Sequence, residues 1–290
     1  MTVPSFQIWS LDWDNLMVRS LALIAIASMM QAFLLPALAA ERYDPMTREL
    51  IWPDLQYTVA ARAAGEPYRS ELYRPEGSGP FPAVVIMPGC DRIVLHDWIR
   101  ALVASGYVVL AVDPLTPRNV YNNCRSPLPV PLSRLLKDAV DGGHFLETLS
   151  FVQPTRIAIV GYSQGGQIVQ ALTGSPYLDR NAPLPFVAMV GVSTICRVEN
   201  YSAAQRPYPV DMQFLPEKVV MPLFVGIAEK AQTMCQELLE VQKAQGAPVE
   251  FRIYEGAPHM WMSRFGYTKQ NEQAIKDMLS FLDRNLKGSP

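Results

Sequence analysis

A serine flanked by glycines, Gly161-Tyr162-Ser163-Gln164-Gly165, follows the β-branched run Arg156–Val160 and opens an apolar run that reads as helix to Leu172. A serine hydroxyl attacks a carbonyl only when a neighbouring base removes its proton. A strand, a sharp glycine-lined turn and a helix form the setting that exposes such a serine. The pentapeptide alone has little weight, because ordinary Gly and Ser frequencies place it in roughly one chain of this length in ten. Its setting makes Ser163 the candidate nucleophile, against the plainer reading of a small-residue strand-to-helix turn.

Three histidines are available as the base. His96 and His144 precede Ser163 in helix-like segments, where a structural histidine is the ordinary reading. His259 lies in "YEGAPHMWM", just past a C-terminal strand-like run, and fits the chain order serine, acid, histidine. The acid that orients the imidazole belongs near a strand end between the two. Glu229, ending "PLFVGIAEK", meets that requirement, with Glu255 as its rival. Asp179, Asp211 and Glu217 fall in Pro-rich stretches, and Glu237 and Glu240 read as solvated helix positions. Two backbone N–H groups must receive the oxyanion: Gln164, after the nucleophile, and Cys90, in the loop "MPGCDR" after an earlier strand. Cys90 could also be taken for a thiol nucleophile, but it lacks the glycine-lined turn.

These residues need a scaffold, and the hydrophobic pattern predicts one. Strand-like AVVIM, YVVLAVD, RIAIV, FVAMVGV, PLFVGIA and VEFRIYE are separated by helix-like HDWIRALVASG, LSRLLKDAVDGGHFLETL, the run after Ser163, Gln232 to Ala244, and NEQAIKDMLSFLDRNL. Short β-branched runs alternating with amphipathic helices imply an α/β fold, a mainly parallel sheet with helices on both faces. Ligands of such sheets bind beyond the carboxyl ends of the strands. Ahead of them, Gln56 to Arg62 and Tyr68 to Arg74 suggest a strand pair, and Pro117 to Arg134 reads as an irregular, Pro-rich excursion.

A chain of 290 residues, 49% of them hydrophobic, is enough for one large core. The net charge of −2 without long basic runs gives no footprint for nucleic acid and points to a small or uncharged partner. At the N-terminus, Arg19 precedes an apolar run ending in Ala37-Leu38-Ala39, the shape of a secretory signal over residues 1–39 with Met17 as the candidate initiator. A membrane anchor is the competing reading, since Leu21 to Ala40 nearly spans a bilayer. Residues 40–290 form the remaining domain, expected in the periplasm or outside the cell. There Cys90, Cys124, Cys196 and Cys235 are free to pair. The sequence permits three pairings; neighbouring strands favour Cys196 with Cys235, leaving Cys90 with Cys124. Their spacing does not suggest a metal site.

The blocks "VVIMPGCDR", "DWIRALVASGYVVLAVDPLTPR", "RIAIVGYSQGG" and "YEGAPHMW" resemble the dienelactone hydrolase family of the α/β-hydrolases, over roughly Tyr57 to Leu286. The resemblance implies the α/β-hydrolase fold, hydrolysis of an ester or lactone carbonyl, no cofactor, and a triad at Ser163, Glu229 and His259. The chain departs from the family pattern in three places. Serine stands where archetypal members carry cysteine, Pro88-Gly89 replaces His-Gly, and Glu229 replaces Asp in a shortened loop. A binding protein that keeps the fold without the chemistry, or an acyltransferase, are the alternatives.

Overall fold

The computed structural model describes residues 41–43, 70–92, 95–124, 128–173, 183–194, 196, 219–229, 232–259, 261–263 and 268–288. The chain divides into two compact units, residues 1–39 and 40–290, and all the described residues belong to the second. The signal-like segment, the Gln56 to Arg62 strand, Asp179, Asp211 and Glu217 lie outside the described residues.

Among the described residues, eight strands build one sheet: β1 (Glu41–Tyr43), β2 (Glu71–Arg74), β3 (Phe81–Met87), β4 (Val108–Ala111), β5 (Val152–Tyr162), β6 (Ala188–Val192), β7 (Leu223–Ala228) and β8 (Val249–Tyr254). Their order is β1-β2-β4-β3-β5-β6-β7-β8. The pairs β1/β2 and β2/β4 are antiparallel, and every pair from β4 to β8 is parallel. Tyr68 to Arg74 thus supplies a strand, but β2 pairs with β4 and with Glu41–Tyr43. The β-branched runs become strands because both faces are covered, so their side chains need no alternation of polarity. Every residue of β4, β6 and β7 is buried.

Among the described residues there are five α-helices, in chain order α1 (His96–Ala104), α2 (Leu132–Glu147), α3 (Gln164–Leu172), α4 (Gln232–Ala244) and α5 (Thr268–Leu286). Leu135 and Leu136 of α2, Ile168 of α3 and Leu239 of α4 share one core layer with Val85, Ile159 and Val225. On the opposite face, Trp98 and Leu102 of α1 and Met278 and Phe281 of α5 pack on Val84, Val160 and Phe224. The alternation along each strand therefore feeds two cores, one per face. Polar contacts lock the second layer: Trp98 Nε1 donates to Asn271 Oδ1 at 2.8 Å, and the Tyr107 hydroxyl to Asp283 at 2.6 Å. Burial and the Asp283 carboxylate both raise the Tyr107 pKa.

After β4 the chain is held by charge. Asp138 of α2, 1% exposed, receives both Arg118 nitrogens at 2.6 and 2.9 Å. Burial pushes its carboxyl pKa up, and the guanidinium opposes that push.

The backbone passes close to itself where β5 meets α3. A Cβ at Gly161 would fall 2.1 Å from the Gly165 carbonyl oxygen and 2.7 Å from the Gly166 nitrogen. Both are backbone atoms, so a side chain there must displace the turn itself. Gly161→Ala is expected to cost about 3 kcal/mol or more, seen as a fall in Tm with a parallel loss of any activity at Ser163. A Tm equal to the parent's would show that the turn has slack.

Candidate active site

Ser163 follows β5 directly and caps the start of α3, with φ 53° and ψ −112°. A non-glycine residue in this left-handed region is strained by about 1–3 kcal/mol, and such strain persists only where the surroundings impose it. Here the Ser163 N–H donates to Val192 O at 3.0 Å, and Gln167 N–H donates to Ser163 O at 3.1 Å. The sharp turn therefore hangs between the end of β6 and the first turn of α3. It leaves Oγ half-buried at the carboxyl end of the sheet, 3.0 Å from His259 Nε2.

His259 reaches that point from the loop after β8, and its ring lies nearly parallel to Tyr162 with centroids 6.5 Å apart. The loop is fastened to β7. Glu229 N–H donates to Ala257 O at 3.1 Å, and the Gly256 N–H donates to Glu229 Oε2 at 2.8 Å. The carboxylate thus grips the backbone three residues ahead of the histidine. On the other side of the imidazole, Ser193 Oγ lies 3.3 Å from Nδ1. Ser193 was missed in the sequence; its only signal there is a short polar pair, Ser193-Thr194, beyond an apolar strand.

The other candidates fall elsewhere. His96 is the exposed first residue of α1. His144 Nδ1 lies 2.8 Å from Glu147 Oε2 on α2. Glu255 is exposed, and its backbone oxygen accepts from Gln270 Nε2 at 3.3 Å.

The two oxyanion candidates are tied to each other through Asn123. Gln164 heads α3 with its side chain buried, and its Oε1 accepts from Asn123 Nδ2 at 3.1 Å. Cys90 O accepts the Asn123 N–H at 2.8 Å, and Cys90 is joined to Cys124 by a disulfide. Asn123 also brackets Val130, donating Nδ2 to its oxygen at 3.0 Å and accepting its N–H at 2.8 Å. One fully buried side chain thereby folds the Pro-rich excursion back onto the loop after β3.

The second disulfide links Cys196, past β6, to Cys235 in the first turn of α4. Cys235 lies in a helix rather than in a strand-end loop, so the bridge braces the start of α4, six residues beyond Glu229 in the chain. Breaking it is expected to cost about 2–4 kcal/mol, the range for a loop of this kind. Thermal unfolding of a Cys196→Ala, Cys235→Ala double variant measures it, and a Tm within a degree of the parent's would contradict it. No group of side chains among the described residues could hold a metal ion.

A mostly parallel sheet with helices on both faces, a serine on the turn after its fifth strand and a histidine after its last make this an α/β-hydrolase. The chain belongs to the dienelactone hydrolase family, whose sequence model matches residues 69–286. No functionally curated protein matches it. Solved structures do so at the level of fold. A candidate dienelactone hydrolase from Klebsiella pneumoniae is 20% identical with a TM-score of 0.54, over 74% of this chain and 93% of that one. An esterase from Pyrobaculum calidifontis is 17% identical with a TM-score of 0.53, over 76% and 82%. The acylaminoacyl peptidase of Pyrococcus horikoshii is 18% identical with a TM-score of 0.59, over 76% of this chain but 40% of that longer one.

Proposed function

We propose that this protein is an exported serine hydrolase that cleaves a carboxylic ester or lactone through an acyl-enzyme on Ser163. The observation that carries the reading is the 3.0 Å approach of Ser163 Oγ to His259 Nε2 on a strained turn. His259 takes the hydroxyl proton as Oγ attacks the carbonyl carbon. The oxyanion is received by the backbone N–H groups of Gln164 and Cys90. As the carbon–oxygen bond breaks, the alkoxide leaves with the proton held by His259. Water then gives its proton to the same nitrogen, attacks the acyl carbon and frees the acid, and the proton returns to Ser163. Glu229 is the acid of the site, acting through the loop that it fastens and through its charge. Ser163, His259 and water account for every proton, so the reaction calls for no cofactor.

Family membership and the likeness in fold to esterases support a hydrolase acting on a small molecule. Export over a signal at residues 1–39 is supported by the Ala-Leu-Ala end and by two disulfides, which persist in oxidising compartments.

A fluorophosphonate probe tests the reading, with the labelled peptide located by mass spectrometry. An adduct on Ser163, together with turnover of p-nitrophenyl esters or lactones, is the expected result. A folded protein that takes no label would be a binding module instead. Faster acyl release to added alcohol than to water would make it an acyltransferase.

A further inference from the structure

Asn123 belongs to the Pro-rich excursion after β4, a stretch to which neither the motif nor the family resemblance gave a task. It is fully buried, although Tyr121 and Cys124 on either side of it are exposed. A buried asparagine is tolerated when its polar atoms find partners. Its amide lies along the Val130 backbone: Oδ1 accepts the Val130 N–H at 2.8 Å, and Nδ2 donates to the Val130 carbonyl oxygen at 3.0 Å. A backbone N–H only donates and a carbonyl only accepts, so this pairing fixes which way the amide faces. Nδ2 also donates to Gln164 Oε1 at 3.1 Å, and the Asn123 N–H donates to Cys90 O at 2.8 Å. One residue thus holds both of the residues whose backbone N–H groups receive the oxyanion.

The two donors stand on separate elements, Cys90 on the loop after β3 and Gln164 at the start of α3. Those elements touch directly: a Cβ at Gly165 would fall 2.3 Å from Met87 O and 2.7 Å from Pro88 O. A single point of contact leaves the loop free to pivot, and a second point beyond it sets the separation. Asn123 supplies that second point, and the Cys90–Cys124 disulfide ties the same corner through the adjoining residue. We propose that Asn123 is a positioning residue for the oxyanion donors: bound to Cys90 O through its N–H and to Gln164 Oε1 through its amide, it fixes the gap between their N–H groups so that both reach one oxygen. Such donors act only within about 2.7–3.1 Å of the developing charge, so a small widening of the gap costs rate. The proposal rests on reading Gln164 and Cys90 as the donors to an oxyanion formed at Ser163.

A double-mutant cycle of Asn123→Ala and Gln164→Met tests it, because each change deletes the amide contact while every backbone N–H stays in place. Each variant is assayed on a p-nitrophenyl ester and with a trifluoromethyl ketone. Ser163 Oγ adds to the ketone carbon, His259 takes the proton, and the carbonyl oxygen becomes the bound oxyanion. Fluorophosphonate labelling taken to completion counts the active sites, so unfolded protein is not mistaken for lost rate. Asn123→Ala should lower kcat by about 10–100-fold, less than the roughly 10²–10³-fold of deleting a donor outright, with KM within about threefold. The inhibition constant of the ketone should rise by the factor by which kcat/KM falls, since both report transition-state binding. A merely structural role would leave that constant at the parent's value once the sites are counted. The double variant should lie within about twofold of the more damaged single one, because the two residues act through one contact. Unchanged kcat, unchanged ketone affinity or losses that multiply overturn the proposal. Should Asn123→Ala lose its fold, Gln164→Met carries the test, since it leaves Asn123 its bonds to Val130 and Cys90. The same proportional loss of kcat and ketone affinity is then expected, and parent values overturn the proposal. A parent that neither takes the fluorophosphonate nor binds the ketone would overturn the hydrolase reading itself, and the proposal with it. A parent that does both while its variants are unaltered overturns only the role of Asn123.

Discussion

Ser163→Ala should lower ester turnover by about four orders of magnitude or more, to the residual rate that binding and the oxyanion donors provide without a nucleophile. The fold should survive. The side chain is half-buried, its Oγ faces His259, and the strain of a φ near 53° is no worse for alanine than for serine. Unfolding within about 1 kcal/mol of the parent is the control that turns lost rate into lost chemistry. Steady-state kinetics on a p-nitrophenyl ester, with fluorophosphonate labelling of the same sample, decides the matter. Turnover that survives would move the nucleophile elsewhere. Cys90 is not the next place to look, because its sulfur is committed to Cys124.

His259→Ala should be almost as damaging, and Ser163→Ala combined with His259→Ala should be little worse than either alone. Residues that pass one proton between them act as a unit, so their losses do not add. His96→Ala and His144→Ala provide the contrast. His96 is exposed at the head of α1 and His144 is occupied with Glu147, so each should keep most of the parent's rate. Multiplicative losses in the double variant would separate His259 from the proton of Ser163. Glu229 should depend on what replaces it: glutamine keeps an oxygen for the Gly256 N–H, while alanine releases the loop that carries the base.

The scaffold was legible from pattern because a doubly covered sheet demands apolar strands and one-sided helices, and those periods survive in any reading of the chain. Each parallel strand from β3 to β8 overlaps a run picked out by its β-branched residues, although β3 starts two residues earlier, at Phe81, and β5 extends beyond Arg156–Val160 at both ends. Ser163 and His259 were legible for a related reason: a glycine-lined turn and a histidine after the last strand are local features with few substitutes. Both disulfide pairings follow from which strands are neighbours, so they too were within reach.

What the sequence by itself determined is therefore the list of chemical groups and the sheet that carries them. The partners of those groups were decided by tertiary structure. Glu229 satisfies the chain order of a triad acid, yet the meeting of its carboxylate with Gly256 depends on how the β8 loop folds back against β7. Ser193 reaches Nδ1, and Asn123 joins Cys90 to Gln164 across more than thirty residues, without any periodicity to announce them. A hydrogen bond forms over about 3 Å and depends on angle as well as distance, whereas hydrophobic pattern records only which face of an element is buried. The protein's elements are written in that pattern, and the contacts within its site are set by where several strand ends converge.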